Sequence, residues 1–241
     1  MTKNFAHRGF SSKYPENTLL AFEKAIEVGV DGMEFDVQLT KDGEIVIIHD
    51  ETIDRTSNGS GRVKDFTYEE LLQYDFSASF TGQFGYIKIP LLREYFDLVK
   101  DTEIISNIEL KNSVYDYEDL EEKVYELIVE YGLDKKVIIS SFNHESIIKM
   151  KKIDSEIKCG FLSDCWMIEP GKYTKAYGME CFHPAAYYLT EEKVKAIHNE
   201  GIEVNVWLGK EPMDYKKLID MEIDVLISND PDIVGEILKN K

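Results

Sequence analysis

Eight short β-rich runs, most of them followed by a helix-patterned segment, predict an α/β chain folded as a closed (β/α)8 TIM barrel. The length agrees, since 241 residues lie close to the roughly 250 typical of that barrel. An open doubly wound sheet is the alternative, but no G-x-G-x-x-G follows the first strand. No fixed-period repeat and no Pro- or Ser-rich linker divides the chain, so residues 1–241 are expected to form a single domain.

The first unit is the strand NFAHRG (4–9) with the helical run TLLAFEKAIEVG (18–29). In GMEFDVQ (32–38), Met33, Phe35 and Val37 alternate with Glu34 and Asp36, the period of two that a strand imposes. IVIIHD (45–50) returns after the turn KDGE, too short for a parallel crossover and right for an antiparallel hairpin. It is read as an added β-hairpin strand. With Asp42 and Gly43 at the turn, His49 is expected approximately opposite Glu34 and Met33. The longest excursion, residues 51 to 106, holds TSNGSG and a capping-box candidate from Thr67 to Glu70. It reads as a small insertion subdomain over the mouth, with Tyr74, Phe76, Phe80, Phe84 and Tyr86 mostly packing a core of its own. SNIELK (106–111) with DYEDLEEKVYELIVEYG (116–132), KVIISSF (136–142) with HESIIKMKKI (144–153), and IKCGFLS (157–163) resume the alternation. GMECFHPAA (178–186) with TEEKVKAIHNEG (190–201), IEVNVW (202–207) with MDYKKLIDME (213–222), and IDVLISN (223–229) with PDIVGEILKN (231–240) complete it.

Composition excludes several functions. A net charge of −18 leaves no basic face for a nucleic acid. No apolar run approaches the ~18 residues of a membrane span, and no amphipathic segment suggests stable membrane association. The N-terminal MTKNFAHRG has a single Lys and no apolar core, so the cytoplasm is the expected location. Cys159, Cys165 and Cys181 are odd in number and not spaced C-x-x-C, which suggests reduced thiols rather than a disulfide or zinc framework.

The chemistry gathers at the C-terminal ends of the strands, where this fold carries its sites. Glu34 and Asp36 are two apart, so both carboxylates face one way and would repel unless something positive stands between them. A metal site is favoured over a structural ion pair. Glu109 in NIELK sits at the equivalent end of the next barrel strand, and three carboxylates without a thiolate or imidazole cluster suit one hard divalent cation, Mg²⁺ or Ca²⁺. His7 and His49 each end an apolar run. Either alone reads as a hydrogen-bonded structural histidine, whereas together they suggest an acid and base pair. Arg8 and Lys111 could hold phosphoryl oxygens, and Gly9 would permit close approach or a turn with positive φ. Trp207 is either core or a wall for substrate, and with Trp166 it could form an aromatic surface for a cation. His198 and His144 read as solvated or packed, and His183 as a candidate for the pocket lining.

HRG with PENT (7–9 and 15–18), EFDVQLTKDGEIVIIHD (34–50), DRTSNGSGRV (54–63), IELK (108–111), ISSF (139–142), VNVW (204–207) and VLISNDPD (225–232) together resemble the glycerophosphodiester phosphodiesterases. The resemblance covers nearly the whole chain. It implies a (β/α)8 barrel that uses a divalent metal to hydrolyse glycerophosphodiesters to glycerol 3-phosphate and an alcohol. By position it implies Glu34, Asp36 and Glu109 as metal ligands, His7 and His49 as acid and base, and Arg8 and Lys111 as phosphate-binding cations. Phe142 and Trp207 match aromatic pocket positions, and the excursion after residue 51 resembles an insertion on the glycerol side. One departure follows the seventh barrel strand, where VWLGKEP places Leu208, Gly209 and Lys210 against the family's VWTVN. A lysophospholipase D-like or phosphoinositide phosphodiesterase on the same barrel, and a silent binding module, are the alternatives. Against the module, every chemically demanding position is filled.

Overall fold

In the computed structural model, which describes residues 1–208 and 213–241, eight parallel strands close into a barrel. They are β1 (Lys3–His7), β2 (Gly32–Leu39), β4 (Ile105–Leu110), β5 (Val137–Ser141), β6 (Lys158–Ser163), β7 (Cys181–Pro184), β8 (Glu203–Trp207) and β9 (Val225–Ser228). β1 pairs with both β2 and β9, which closes the ring. β3 (Ile45–Ile47) lies antiparallel on the upper part of β2, with Val37 opposite Ile47. Continuing that register puts His49 level with Phe35, one residue later than Glu34.

The helices are α1 (Leu19–Val28), α2 (Tyr68–Leu71), α3 (Leu92–Val99), α4 (Leu120–Glu130), α5 (His144–Ile153), α6 (Pro170–Ala176), α7 (Glu191–His198), α8 (Tyr215–Asp220) and α9 (Pro231–Lys239). α1 starts where the Thr18 hydroxyl accepts from Ala21 N and stops at Gly29, whose φ of 80° is open to glycine. α2 carries the expected capping box, Thr67 to Glu70.

Two elements differ from the sequence reading. α3 lies inside the excursion but belongs to the barrel, since Leu92, Tyr95, Phe96 and Val99 are buried at helical spacing in the main core. The subdomain therefore ends before residue 92. Its signal was masked because Leu91 caps α3 without a polar side chain, Glu94 Oε2 accepting from Leu91 N at 3.0 Å instead. α6 has no counterpart in the sequence reading, because PGKYTKA presents few apolar residues, and it packs through Pro170, Gly171 and Thr174.

The insertion packs Ile53, Val63, Leu71, Phe76 and Ile89 with Val46 and Ile48 of the added strand in a second, smaller core. Phe76 is in it and Tyr74 packs against it, whereas Phe84 and Tyr86 are 36% and 57% exposed. Phe84 rests on Tyr14 and Phe80. A third cluster, Phe5, Ile138, Cys181, Val225 and Ile227, fills the barrel below the site. The three cysteines are unpaired, Cys159 and Cys181 buried and Cys165 exposed.

Candidate active site

β2 places the carboxylates. Its register sets Asp36 beside Glu109 on β4, and a chelating atom from each of Glu34, Asp36 and Glu109 lies within 4.8 Å of the others. All three residues are buried, and Glu34 Oε2 and Asp36 Oδ1 have no hydrogen-bond partner. Burial, then the neighbouring Asp36 and Glu109, push the Glu34 carboxyl well up. Burial also raises Glu109, although Lys111 Nζ stands 2.9 Å from its Oε1. Asp36 goes the other way: burial is outweighed by His49, Arg8 and Lys111 and by the 2.9 Å bond from Asn17 Nδ2, which hold it low. Buried carboxylates with unpartnered oxygens are what a hard divalent cation fits.

The chain turns sharply after β1. Arg8 and Gly9 both have positive φ, 58° and 76°, and a Cβ on Gly9 would stand 2.7 Å from the Ala21 backbone, so that turn requires glycine. Arg8 Nη1 is 2.7 Å from Glu16 Oε1 and its Nε 3.4 Å from Asp36 Oδ2.

Each histidine has its Nδ1 tied to an oxygen. His7 Nδ1 is 2.6 Å from Asn229 Oδ1, and His49 Nδ1 is 2.6 Å from Asp50 Oδ1. A carboxylate only accepts, so His49 Nδ1 donates to Asp50, and the oxygen of Asn229 assigns the same tautomer to His7. The Nε2 atoms are left facing the chemistry, 3.7 Å from Glu34 Oε2 for His7 and 3.4 Å from Lys111 Nζ for His49. Burial, aided by Arg8 and opposed by the Asn229 bond, lowers the His7 pKa to about 4, which keeps its Nε2 a free base at neutral pH.

The structure brings all nine residues singled out from the sequence to one end of the barrel. Seven of them, His7, Arg8, Glu34, His49, Glu109, Phe142 and Trp207, line a cavity of about 640 Å³, with Asp36 and Lys111 against them. Phe142 and Trp207 meet edge to face at 5.8 Å and form an apolar wall with Leu162, Leu208 and Ile227. Leu208 is thus a wall residue, while Gly209 and Lys210 lie outside the described residues.

Other expectations need correction. Trp166 makes no surface with Trp207: it packs on Tyr188 at 5.5 Å, under Lys193 Nζ. His183 does not line the cavity but is fully buried, and its carbonyl accepts from Trp207 Nε1 at 3.1 Å, so it supports the wall from behind. His144 and His198, by contrast, are packed as expected: His144 stacks on Phe161 and bonds the Tyr173 hydroxyl, and His198 pairs with Asp224.

Sequence reasoning assigned no part to Glu16, Asn17, Asp50, Arg55 or Asn229. Their signal was the stretches that hold them, Glu16 and Asn17 in PENT, Asp50 in HD, Arg55 in DRTSNGSGRV and Asn229 in VLISNDPD. The Arg55 guanidinium bridges Glu16 and Asp50, and Asn107 Oδ1 is a buried acceptor without a partner on the cavity wall.

Residues 7–233 match the Glycerophosphoryl diester phosphodiesterase family. The chain is 41% identical over 236 residues to a glycerophosphodiester phosphodiesterase of Caldanaerobacter subterraneus subsp. tengcongensis, covering 97% of this chain and 96% of that protein. It is also 41% identical to one of Bacillus altitudinis, covering 96% of each. Among solved structures, an Oleispira antarctica phosphodiesterase in complex with the product sn-glycerol-3-phosphate superimposes with a TM-score of 0.83 at 27% identity, covering 98% of this chain and 96% of that one. A chain that matches the family model over this span, and shares two fifths of its residues with such relatives along nearly their whole length, belongs to the glycerophosphoryl diester phosphodiesterase family.

Proposed function

We propose that this phosphodiesterase hydrolyses glycerophosphodiesters to glycerol 3-phosphate and an alcohol with His7 and His49 as its base and acid, in a reaction that depends on a divalent cation. The observation that carries the reading is the pair of imidazoles with Nδ1 tied, His7 Nε2 beside Glu34 and His49 Nε2 beside Lys111, around three buried carboxylates. The product held by the Oleispira antarctica neighbour supports glycerol 3-phosphate as the retained half. Glu34, Asp36 and Glu109 would hold Mg²⁺ or Ca²⁺, which supplies positive charge to the phosphoryl oxygens when bound.

This chain's residues do the rest. Arg8 and Lys111 draw the phosphodiester to a site where carboxylates alone would repel it. One histidine Nε2 takes the proton of the attacking hydroxyl. The other gives a proton to the leaving oxygen as the P–O bond breaks. We favour the neighbouring glycerol hydroxyl as first nucleophile, because a hydroxyl held in line carries an effective molarity of roughly 10⁵ M or more. Water then opens the cyclic phosphate, and the histidines exchange roles. Phe142 and Trp207 pack the apolar face of the substrate and exclude water.

Among the described residues no helix is long and apolar enough to cross a membrane, and a cytoplasmic location belongs to the same proposal. The test is release of glycerol 3-phosphate from glycerophosphocholine before and after chelation, with added Mg²⁺ or Ca²⁺. Full activity after thorough chelation sinks the metal dependence. Preference for the acyl-bearing analogue would move the assignment to a lysophospholipase D.

A further inference from the structure

Arg55 stands in the insertion, outside the strands that carry the chemistry, yet it touches the supports of two of their groups. Its Nη1 and Nη2 bond Glu16 Oε2 and Oε1 at 2.6 and 2.9 Å, and its Nε and Nη2 bond Asp50 Oδ2 and Oδ1 at 2.7 and 3.1 Å. The oxygens that Nη2 shares are the ones that hold Arg8 and His49: Glu16 Oε1 accepts from Arg8 Nη1 at 2.7 Å, and Asp50 Oδ1 accepts from His49 Nδ1 at 2.6 Å. One nitrogen therefore joins the loop after β1 to the loop after β3.

The loop that presents Arg55 is itself fixed. Ile53 is fully buried in the small core of the insertion, Ile53 N bonds Gly61 O at 3.0 Å, and Asp54 Oδ2 accepts from Gly61 N at 3.0 Å. A guanidinium held in place and bidentate to two carboxylates sets both distance and angle, which a flexible ammonium does not.

We infer that Arg55 is a positioning residue, fixing His49 through Asp50 and Arg8 through Glu16, so that the insertion sets the spacing of two groups it does not carry. The inference rests on the proposed roles of His49 and Arg8. Removing Arg55 leaves Glu16 and Asp50 as less paired charges at the mouth, frees Asp50 to turn, and lets Glu16 draw Arg8 away from the phosphate.

The test uses the metal-loaded enzyme with glycerophosphocholine, in wild type, Arg55→Ala, Arg55→Lys, Asp50→Asn and the double variant Asp50→Asn/Arg55→Ala. Arg55→Ala is expected to lower kcat about 10- to 100-fold, with a severalfold rise in KM. Arg55→Lys should stay nearer to Arg55→Ala than to wild type, because it keeps the charge and loses the fork. The double variant should lose less kcat than the product of the two single losses, since Asp50→Asn already removes the His49 branch and leaves only the Glu16–Arg8 branch for Arg55→Ala to remove. The His49 Nδ1–H proton resonance, identified by its loss in His49→Gln, should shift in Arg55→Ala. Wild-type kcat and KM in Arg55→Lys, or losses that multiply in the double variant, would overturn the inference. Arg55→Lys decides the matter alone if Arg55→Ala does not fold. If wild type releases no glycerol 3-phosphate, the proposed function fails, and the proton resonance still tests Arg55.

Discussion

Glu34→Gln should abolish metal binding and yet stabilise the metal-free protein. Three carboxylates offer oxygens within 4.8 Å of one another, and two unit charges at that distance repel by about 3.5 kcal/mol at an effective dielectric near 20. Arg8 and Lys111 offset part of this, and uptake of a proton by Glu34 caps the rest. The net gain on removing one charge is therefore expected at about 1–3 kcal/mol. For a chain of this size that corresponds to a rise in Tm of about 2–12 °C. The Glu34 carboxyl is raised in the fold above its unfolded value, so between the two the native state binds more protons than the unfolded one. Stability from this group is present in full below about pH 4 and is lost as pH rises through the raised value, and Glu34→Gln should flatten that slope.

The assay is thermal unfolding of chelator-treated wild type and Glu34→Gln from pH 5 to 8.5, repeated with added Mg²⁺ and Ca²⁺. In wild type the cation should restore stability by about 2.7 kcal/mol at a hundredfold excess over its Kd. The variant should show no such rise. A metal-free Glu34→Gln less stable than wild type at pH 8, or one that still gains stability from the cation, refutes the reasoning.

Further outcomes follow from the same geometry. His7→Ala and His49→Ala should each lower kcat by about 10²- to 10⁴-fold with little change in KM, the split expected of groups that move protons; a change confined to KM in steady-state kinetics contradicts the assignment. A glycerophosphodiester whose neighbouring hydroxyl is replaced by hydrogen should act as a competitive inhibitor and turn over orders of magnitude more slowly; equal rates would establish direct attack by water. Gly9→Ala should cost about 1–3 kcal/mol or more in chemical denaturation, because its Cβ would meet the Ala21 backbone at 2.7 Å with φ at 76°.

Much of the fold was legible because a parallel barrel writes its strands as short apolar runs with regular helical intervals. SNIELK and KVIISSF coincide with β4 and β5 within a residue at either end, and HESIIKMKKI coincides with α5. α3 was hidden because it lies inside the excursion and starts at Leu91 with no polar cap to mark it, although Leu92, Tyr95, Phe96 and Val99 recur at helical spacing, and α6 because a seven-residue helix carries too little periodicity. In the site, residues with strong chemical character on strands were readable from the period of two. Arg55, Glu16 and Asn229 were not, since their roles depend on loops meeting across the barrel mouth. Charge alone does not tell a solvated arginine from one bidentate to two carboxylates.

The arrangement of both histidines traces to the unequal lengths of β1 and β2. β1 stops where His7 pairs with Glu34, and Arg8 N donates to Glu34 O at 2.7 Å. β2 continues for five more residues to Leu39, and its vacated edge is taken by β3, with Ile48 N donating to Asp36 O at 2.9 Å. The carbonyls of the two carboxylate residues on β2 thus receive the ends of two different strands. His7 lies one residue before the first bond and His49 one residue after the second. Both imidazoles are therefore registered by main-chain hydrogen bonds to the strand that carries Glu34 and Asp36, while β4 on the opposite edge brings Glu109 and Lys111. A hairpin slip of one residue would turn His49 to the other face and break the site without unfolding the barrel. Gln38 guards against it, because its Nε2, with two N–H groups, lies within hydrogen-bond reach of the carbonyls of Ile48, His49 and Asp50, nearest Asp50 O at 2.7 Å, and holds the end of the returning strand in that register.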